Sequence, residues 1–241
     1  MFGTIKNSQN ERLDYSFHPG AEGSRNLVIL GHGVTGNKDR PFVVALAEGL
    51  AARGVAALRF SFSGNGDSEG AFVDSTISKE TADLGAVLDA TRDFKVCYVG
   101  HSMGGAVGVM RAASDDRIQW LVSLAGMVHT RAFAEREFGT VKPGEGCMWD
   151  EPSCPLSVAY MDDAAKIDSV AGLAPKISIP WLLIHGSEDD VVPLQDSLDI
   201  LEKAGQTAKL IQIPGSNHVF AGEFTAPMVA HAVDWIVGQL G

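Results

Sequence analysis

The chain has 241 residues, 45% of them hydrophobic, with 19 basic and 30 acidic side chains and a formal net charge of −11. That length and apolar content suit one large domain with a full core, and they exclude disorder, a collagen-like repeat and a disulfide-stapled miniprotein. The acidity, with no basic run, argues against nucleic acid or an anionic membrane as partner and leaves a neutral small molecule open. Cys97, Cys147 and Cys154 form no CxxC pair and no zinc-knuckle spacing. So low and odd a cysteine count points to a reducing compartment, and the balance is against a bridge between Cys147 and Cys154. No basic leader with an apolar core opens the sequence, and no apolar run nears about 18 residues. A cytoplasmic address is the expectation.

Taken in chain order, Leu13–Phe17 alternates and predicts an antiparallel edge strand. Leu27–Leu30 is a short apolar run stopped by Gly31. A helical pattern over 41–53 follows, with Pro41 in its first turn and Gly54 past its end. Further apolar runs lie at 55–60, 96–99, 120–124, 181–184 and 210–213, closed by Ser61, Gly100, Ala125, His185 and Pro214. Between and after them, helical patterns cover 78–93, 103–114, 194–204 and 226–239. Short apolar runs of this kind mark strands buried on both faces. Their alternation with helices predicts an α/β fold with a mostly parallel central sheet flanked by helices.

One interval breaks the rhythm. Between the strands starting at Trp120 and Trp181 the chain is about 30 residues longer than a crossover helix needs. The excess lies within 127–176, and that segment is expected to be a cap or lid inserted at the carboxyl end of a strand. Residues 1–126 and 177–241 then form the core.

Four constellations carry chemistry. Gly31-His32-Gly33-Val34-Thr35-Gly36 is a glycine-bearing turn after an early strand, suited to present backbone N–H groups to an oxyanion. Val34 is the candidate donor there. Gly100-His101-Ser102-Met103-Gly104 fits G-x-S-x-G between a strand and a helix, which puts Ser102 on a sharp turn as nucleophile. The N–H of Met103 is the second oxyanion candidate. His185-Gly186-Ser187-Glu188-Asp189-Asp190 follows a later strand and offers three carboxylates to orient a base. Pro214-Gly215-Ser216-Asn217-His218 follows the last strand and offers His218 as that base. The chain order serine, acid, histidine is that of the α/β-hydrolases. His129 and His231 are read as structural.

Gly31-x-Gly33-x-x-Gly36 also fits a dinucleotide fingerprint, but the next helix begins late and no acidic residue closes the following strand. No H-E-x-x-H exists, and Cys97 lies inside a predicted buried strand, so metal and cysteine chemistry are not expected. No cofactor is implied.

Together, HGVTGNK at 32–38, RFSFSGNGDSEG at 59–70, GHSMGG at 100–105, HGSEDDVVP at 185–193 and GSNHVF at 215–220 resemble the α/β-hydrolase superfamily. Within it the chain resembles small bacterial carboxylesterases, including cinnamoyl (feruloyl) esterase-like members. The resemblance implies the α/β-hydrolase fold with a small cap insertion. It selects Asp189 among the three carboxylates, so the catalytic residues are Ser102, Asp189 and His218, with Val34 and Met103 as oxyanion hole. It implies a carboxylesterase acting on small-molecule esters through an acyl-enzyme. A thioesterase, a carbon–carbon bond hydrolase, an acyltransferase or a small peptidase shares the same triad, and a non-catalytic binding scaffold is a more distant alternative. The loop 62–70, Asp67 included, reads as a structural turn. Trp149 and Tyr160 are assigned to core packing in preference to an aromatic pocket.

Overall fold

A computed structural model describes residues 2–240. In chain order the elements are β1 (Ile5–Lys6), β2 (Arg12–Leu13), β3 (Tyr15–His18), β4 (Asn26–Gly31), α1 (Pro41–Ala52), β5 (Ala56–Phe60), α2 (Ile77–Ala90), β6 (Lys95–His101) and α3 (Met103–Ala112). They continue with β7 (Ile118–Leu124), α4 (Thr130–Phe138), α5 (Val158–Ile167), β8 (Trp181–Gly186), α6 (Leu194–Ala204), β9 (Ala208–Ile213) and α7 (Thr225–Leu240). The main sheet runs β3-β5-β4-β6-β7-β8-β9, with β3 antiparallel to β5 and every other pair parallel.

The apolar runs form buried strands because both faces are covered. Leu27 and Ile29 of β4 and Val96 and Tyr98 of β6 pack with α2 and α3. Val28, Leu30, Cys97 and Val99 alternate with them and pack with α1 and α7 on the other face. Trp181 and Leu183 of β8 join the first cluster, with Ile200 of α6, and Leu182 and Ile184 join the second. A period of two is present in each strand, but two-sided burial hides it from a hydropathy pattern.

The edge strand departs from expectation. Residues 13–17 are not one strand. Leu13 pairs with Ile5 in a two-stranded ribbon, while Tyr15–His18 pairs with β5. Asp14 makes the break, because its N–H donates to Ser68 Oγ (2.8 Å) while its carbonyl accepts from Ser61 (2.9 Å). The loop 62–70 is thereby stitched to the sheet edge, and exposed Asp67 accepts from Arg12 only through its backbone carbonyl.

The long connection between β7 and β8 folds as α4, a tight turn at Met148–Asp150, α5 and a 3₁₀ turn at Ala171–Lys176. Ser157 caps α5, accepting from the Tyr160 N–H (3.0 Å). Phe133, Phe138, Met148, Leu156 and Tyr160 extend the cluster shared with α2 and α3, so the segment has no separate core. Asp163 of α5 also accepts from the Ser78 N–H (2.9 Å) and hydroxyl (2.6 Å) at the start of α2. Cys97, Cys147 and Cys154 are free thiols. Among the described residues no helix is long and apolar enough to cross a membrane.

Asp83 of α2 ties three segments together from a fully buried position. It accepts from Asn7 Nδ2 (2.8 Å), the Ser63 N–H (2.8 Å) and the Ser63 hydroxyl (2.6 Å). Asp83→Ala strands buried donors and is expected to destabilise the fold by about 2–4 kcal/mol, seen as a lower urea midpoint at unchanged slope.

Candidate active site

Ser102 sits at the junction of β6 and α3 with φ 53° and ψ −119°. That conformation is strained for a residue with a side chain and persists only where its surroundings hold it. The holding is steric and local. A Cβ on Gly100 would fall 2.1 Å from the Gly104 carbonyl oxygen, and one on Gly104 would fall 2.5 Å from the His32 carbonyl oxygen. The Ser102 N–H donates to Leu124 O (3.0 Å), and its carbonyl accepts from Gly105 (2.8 Å) and Met127 (2.9 Å). The glycines of G-x-S-x-G are thus required by backbone packing on both sides of the serine.

The turn after β4 presses against this junction. A Cβ on Gly33 would approach Ser102 Cβ to 2.8 Å. His32, buried at the start of the turn, sets its shape. Its Nδ1 donates to the Gly33 carbonyl (2.8 Å), and its Nε2 accepts from the Phe62 N–H (3.0 Å). This pattern requires the neutral ring, and burial pushes its pKa down to about 4. Among the described residues no acceptor takes the N–H of Val34 or of Met103.

Asp189 follows β8 and is the one carboxylate of its turn that reaches a histidine, while Glu188 and Asp190 are exposed. Its Oδ2 accepts from His218 Nδ1 (2.8 Å), and its Oδ1 accepts from the N–H groups of Val191 (2.9 Å) and Val192 (2.8 Å). Fully buried His185 stands beneath it. The His185 Nε2 proton is shared between the Val192 carbonyl (2.9 Å) and Asp189 Oδ2 (3.2 Å), and its Nδ1 accepts from the Ser197 hydroxyl (2.8 Å). Burial opposes the charge on Asp189, but the hydrogen bonds from His185 and His218 outweigh it and hold the carboxyl well below its usual range.

His218 is held at a second point. His101 Nε2 donates to the His218 carbonyl (3.0 Å), and the two rings lie 4.7 Å apart. His101 is itself packed against Phe42 (4.6 Å between rings), and burial, helped by the neighbouring His218, pushes its pKa down to about 3.

Ser102 and His218 line one cavity of about 320 Å³, without a hydrogen bond between them. Such a bond commonly tightens only when substrate fills the site. Val34 lines the cavity too, with Arg40, Phe42, Trp149 and Val191. Trp149 was expected in the core, yet it is 44% exposed and faces this cavity. The reason is backbone conformation. Trp149 has φ 48° in the Met148–Asp150 turn, which swings its ring outward onto Phe138 (4.9 Å), and its indole N–H donates to Glu137 Oε2 (3.1 Å). Tyr160 is buried, as expected. His129 pairs instead with Asp199 (2.8 Å).

Sequence reasoning missed His101, His185 and Arg40. His101 and His185 do stand inside the quoted motifs, but nothing in their spacing tells that one braces His218 and the other Asp189. Among the described residues no group of three His, Cys, Asp or Glu side chains is placed to hold a metal ion.

A parallel sheet with a tight serine turn, a histidine and a carboxylate gathered at the strands' carboxyl ends defines an α/β-hydrolase. The chain belongs to the prolyl oligopeptidase family (Peptidase_S9), which residues 77–241 match. Its fold is similar to that of Est1E from Butyrivibrio proteoclasticus, solved with ferulic acid bound, at TM-score 0.88 and 27% identity over 98% of each chain. It is similar to mouse alpha/beta hydrolase domain-containing protein 10 at TM-score 0.82 and 21% identity over 99% of each chain. In sequence it is 23% identical to the human mitochondrial palmitoyl-protein thioesterase ABHD10, across 82% of this chain and 68% of that protein. These likenesses support an enzyme that hydrolyses ester-type substrates.

The buried neutral histidines generate a pH dependence. Their folded pKa values, about 3 for His101 and about 4 for His32, lie below the ordinary value near 6.5. Below about pH 6.5 the unfolded chain therefore binds protons that the folded chain does not. Stability is full above that pH and falls by about 1.4 kcal/mol per pH unit for each such group as acidity increases. The urea midpoint should drop between pH 7 and pH 4.5. His101→Gln, which keeps a donor for the His218 carbonyl, should drop less steeply.

Proposed function

We propose that the protein hydrolyses small-molecule carboxylic esters through an acyl-enzyme on Ser102. The observation that carries this reading is the Asp189–His218 hydrogen bond (2.8 Å) beside a serine turn in one shared cavity. Ser102 Oγ attacks the acyl carbonyl while His218 Nε2 takes its proton. The N–H groups of Val34 and Met103, both free of protein acceptors among the described residues, bind the oxygen that becomes negative. When the tetrahedral species collapses, the alkoxide leaves with the proton from His218. Water, activated by the same nitrogen, then releases the acid and restores Ser102. Asp189, kept ionised by its donors, stabilises the imidazolium form of His218 in both halves.

A cavity of about 320 Å³ sits at the lower end of small-molecule sites and favours a compact acyl or alcohol group. Residues 127–176 act in this reading as the cap, supported by Trp149 at the cavity wall, with 1–126 and 177–241 as the catalytic core. A cytoplasmic setting belongs to the proposal and rests on the cysteine count. The thioesterase reading is favoured by the likeness to ABHD10 and differs only in a thiolate leaving group. Fold and family alone do not choose between them.

A fluorophosphonate probe should add its mass to the Ser102 peptide. Ser102→Ala should abolish labelling and lower kcat by roughly 10⁴- to 10⁶-fold, with Asp189→Asn at the milder end. Undiminished turnover in Ser102→Ala overturns the proposal. Rates on p-nitrophenyl esters of rising chain length, on methyl ferulate and on matched acyl thioesters separate ester from thioester preference.

A further inference from the structure

Among the described residues, Arg40 is the one permanently charged side chain lining the cavity of Ser102 and His218. Its cationic neighbours are neutralised. Lys38 pairs with Asp14 (3.2 Å) and Asp39 (2.7 Å), and Arg59 pairs with Asp39 as well. Arg40 has no carboxylate within ion-pair distance among the described residues. One of its nitrogens donates to the Thr35 carbonyl (3.0 Å), in the same turn as Val34. A guanidinium has five N–H donors, so most of the fork stays open toward the cavity. That bond places the fork beside the proposed oxyanion turn.

The charge is unexpected where it is. The chain carries a net −11, and the cavity is otherwise lined by apolar side chains such as Val34, Phe42 and Val191 together with polar Thr35, Ser102 and His218. Arg40 is exposed, so its guanidinium is hydrated and free to exchange water for an anion at the cavity. The charge reaches deep enough to act on His101 and His32, where it adds a small push to the dominant effect of burial in keeping both rings neutral.

Resting on the ester-hydrolase reading of this site, we propose that Arg40 selects esters carrying a free carboxylate. The planar fork matches a carboxylate in a bidentate pair. No second cation lines the cavity to balance a doubly charged phosphate, so the singly charged group is the better fit. The substrate class is then the half-ester of a dicarboxylic acid, or an ester whose alcohol bears the carboxylate. In either case the acid stays ionised through the reaction and takes no part in bond making or breaking.

The test uses isosteric pairs that differ in charge alone. Monomethyl glutarate is compared with methyl 4-carbamoylbutanoate, and 4-acetoxybenzoate with 4-acetoxybenzamide. The first pair places the carboxylate on the acyl side, the second on the alcohol side. In one pair or the other, kcat/KM for the carboxylate should exceed that for the amide by about tenfold or more. Arg40→Gln should collapse that ratio, chiefly through KM, and Arg40→Lys should retain part of it. Added salt should shrink the preference of the wild type. Ratios near one in both pairs, or equal losses on both members in Arg40→Gln, overturn the proposal and leave Arg40 as a brace of the turn. Fluorophosphonate labelling of Ser102 separates the two levels. Labelled protein without a charge preference defeats the role of Arg40 alone. Should the protein not label, calorimetric binding of the same pairs to wild type and Arg40→Gln decides the role of Arg40 without turnover, with loss of carboxylate binding supporting it and no difference overturning it.

Discussion

The structure turns on the near-contact of three backbones at Ser102. β6, α3 and the turn after β4 approach so closely that Gly100, Gly104 and Gly33 have no room for a methyl group. The positive φ of Ser102 follows from that compression, since the chain must reverse from strand to helix within one residue. The central place of β6, hydrogen-bonded to β4 and β7, keeps the compression from relaxing. The carbonyl of Ser102 also receives the Met127 N–H, so the connection after β7 begins from the same point. Because all strands of the main sheet but β3 run parallel, the loops after β4, β6, β8 and β9 leave the sheet on one side. The site is where that geometry collects them.

A second constraint is electrostatic. Asp189 takes an N–H from Val191, Val192, His218 and, at longer reach, His185. A carboxylate so supplied stays ionised and has no freedom to turn. His218 inherits its orientation from that carboxylate at Nδ1 and from His101 at its backbone carbonyl. Two buried histidines therefore serve a third. His185 and His101 each direct Nε2 at a backbone carbonyl from the core, and burial keeps the His101 ring neutral while it does so.

Most of the fold was legible in the residue pattern because two-sided burial makes apolar runs that end in glycine or other turn formers. The serine turn was legible because its glycines are steric requirements visible as letters. Asp189 was distinguishable from Glu188 and Asp190 only through the resemblance, since all three are acidic residues of one turn. Other features depend on neighbours that no local pattern contains. Asp14 splits the edge strand by bonding Ser68, more than fifty residues away in sequence. Trp149 faces the cavity because of a positive φ in a short turn, where neither helical nor strand periodicity applies. His101 and His185 look like any core histidine until β6, β8 and the loop after β9 are brought together. Arg40 is one of several basic residues near position 40, and only the folded chain reveals that Lys38 and Arg59 are paired while it is not.

Charge acts on this site at two ranges. The net −11 of the surface repels anions at a distance, but screening confines that effect to about 8 Å at physiological ionic strength. At the cavity the one permanent charge among the described lining residues is the exposed guanidinium of Arg40, which water and salt also screen. An anionic ligand thus meets a weak repulsion from the surface and, in the proposal, an attraction at Arg40 that salt reduces. The same guanidinium donates to the Thr35 carbonyl in the turn of Val34, so the charge stands beside the proposed oxyanion donor. In the proposed reaction a carboxylate held at Arg40 lies close to that turn, so binding also helps to orient the ester.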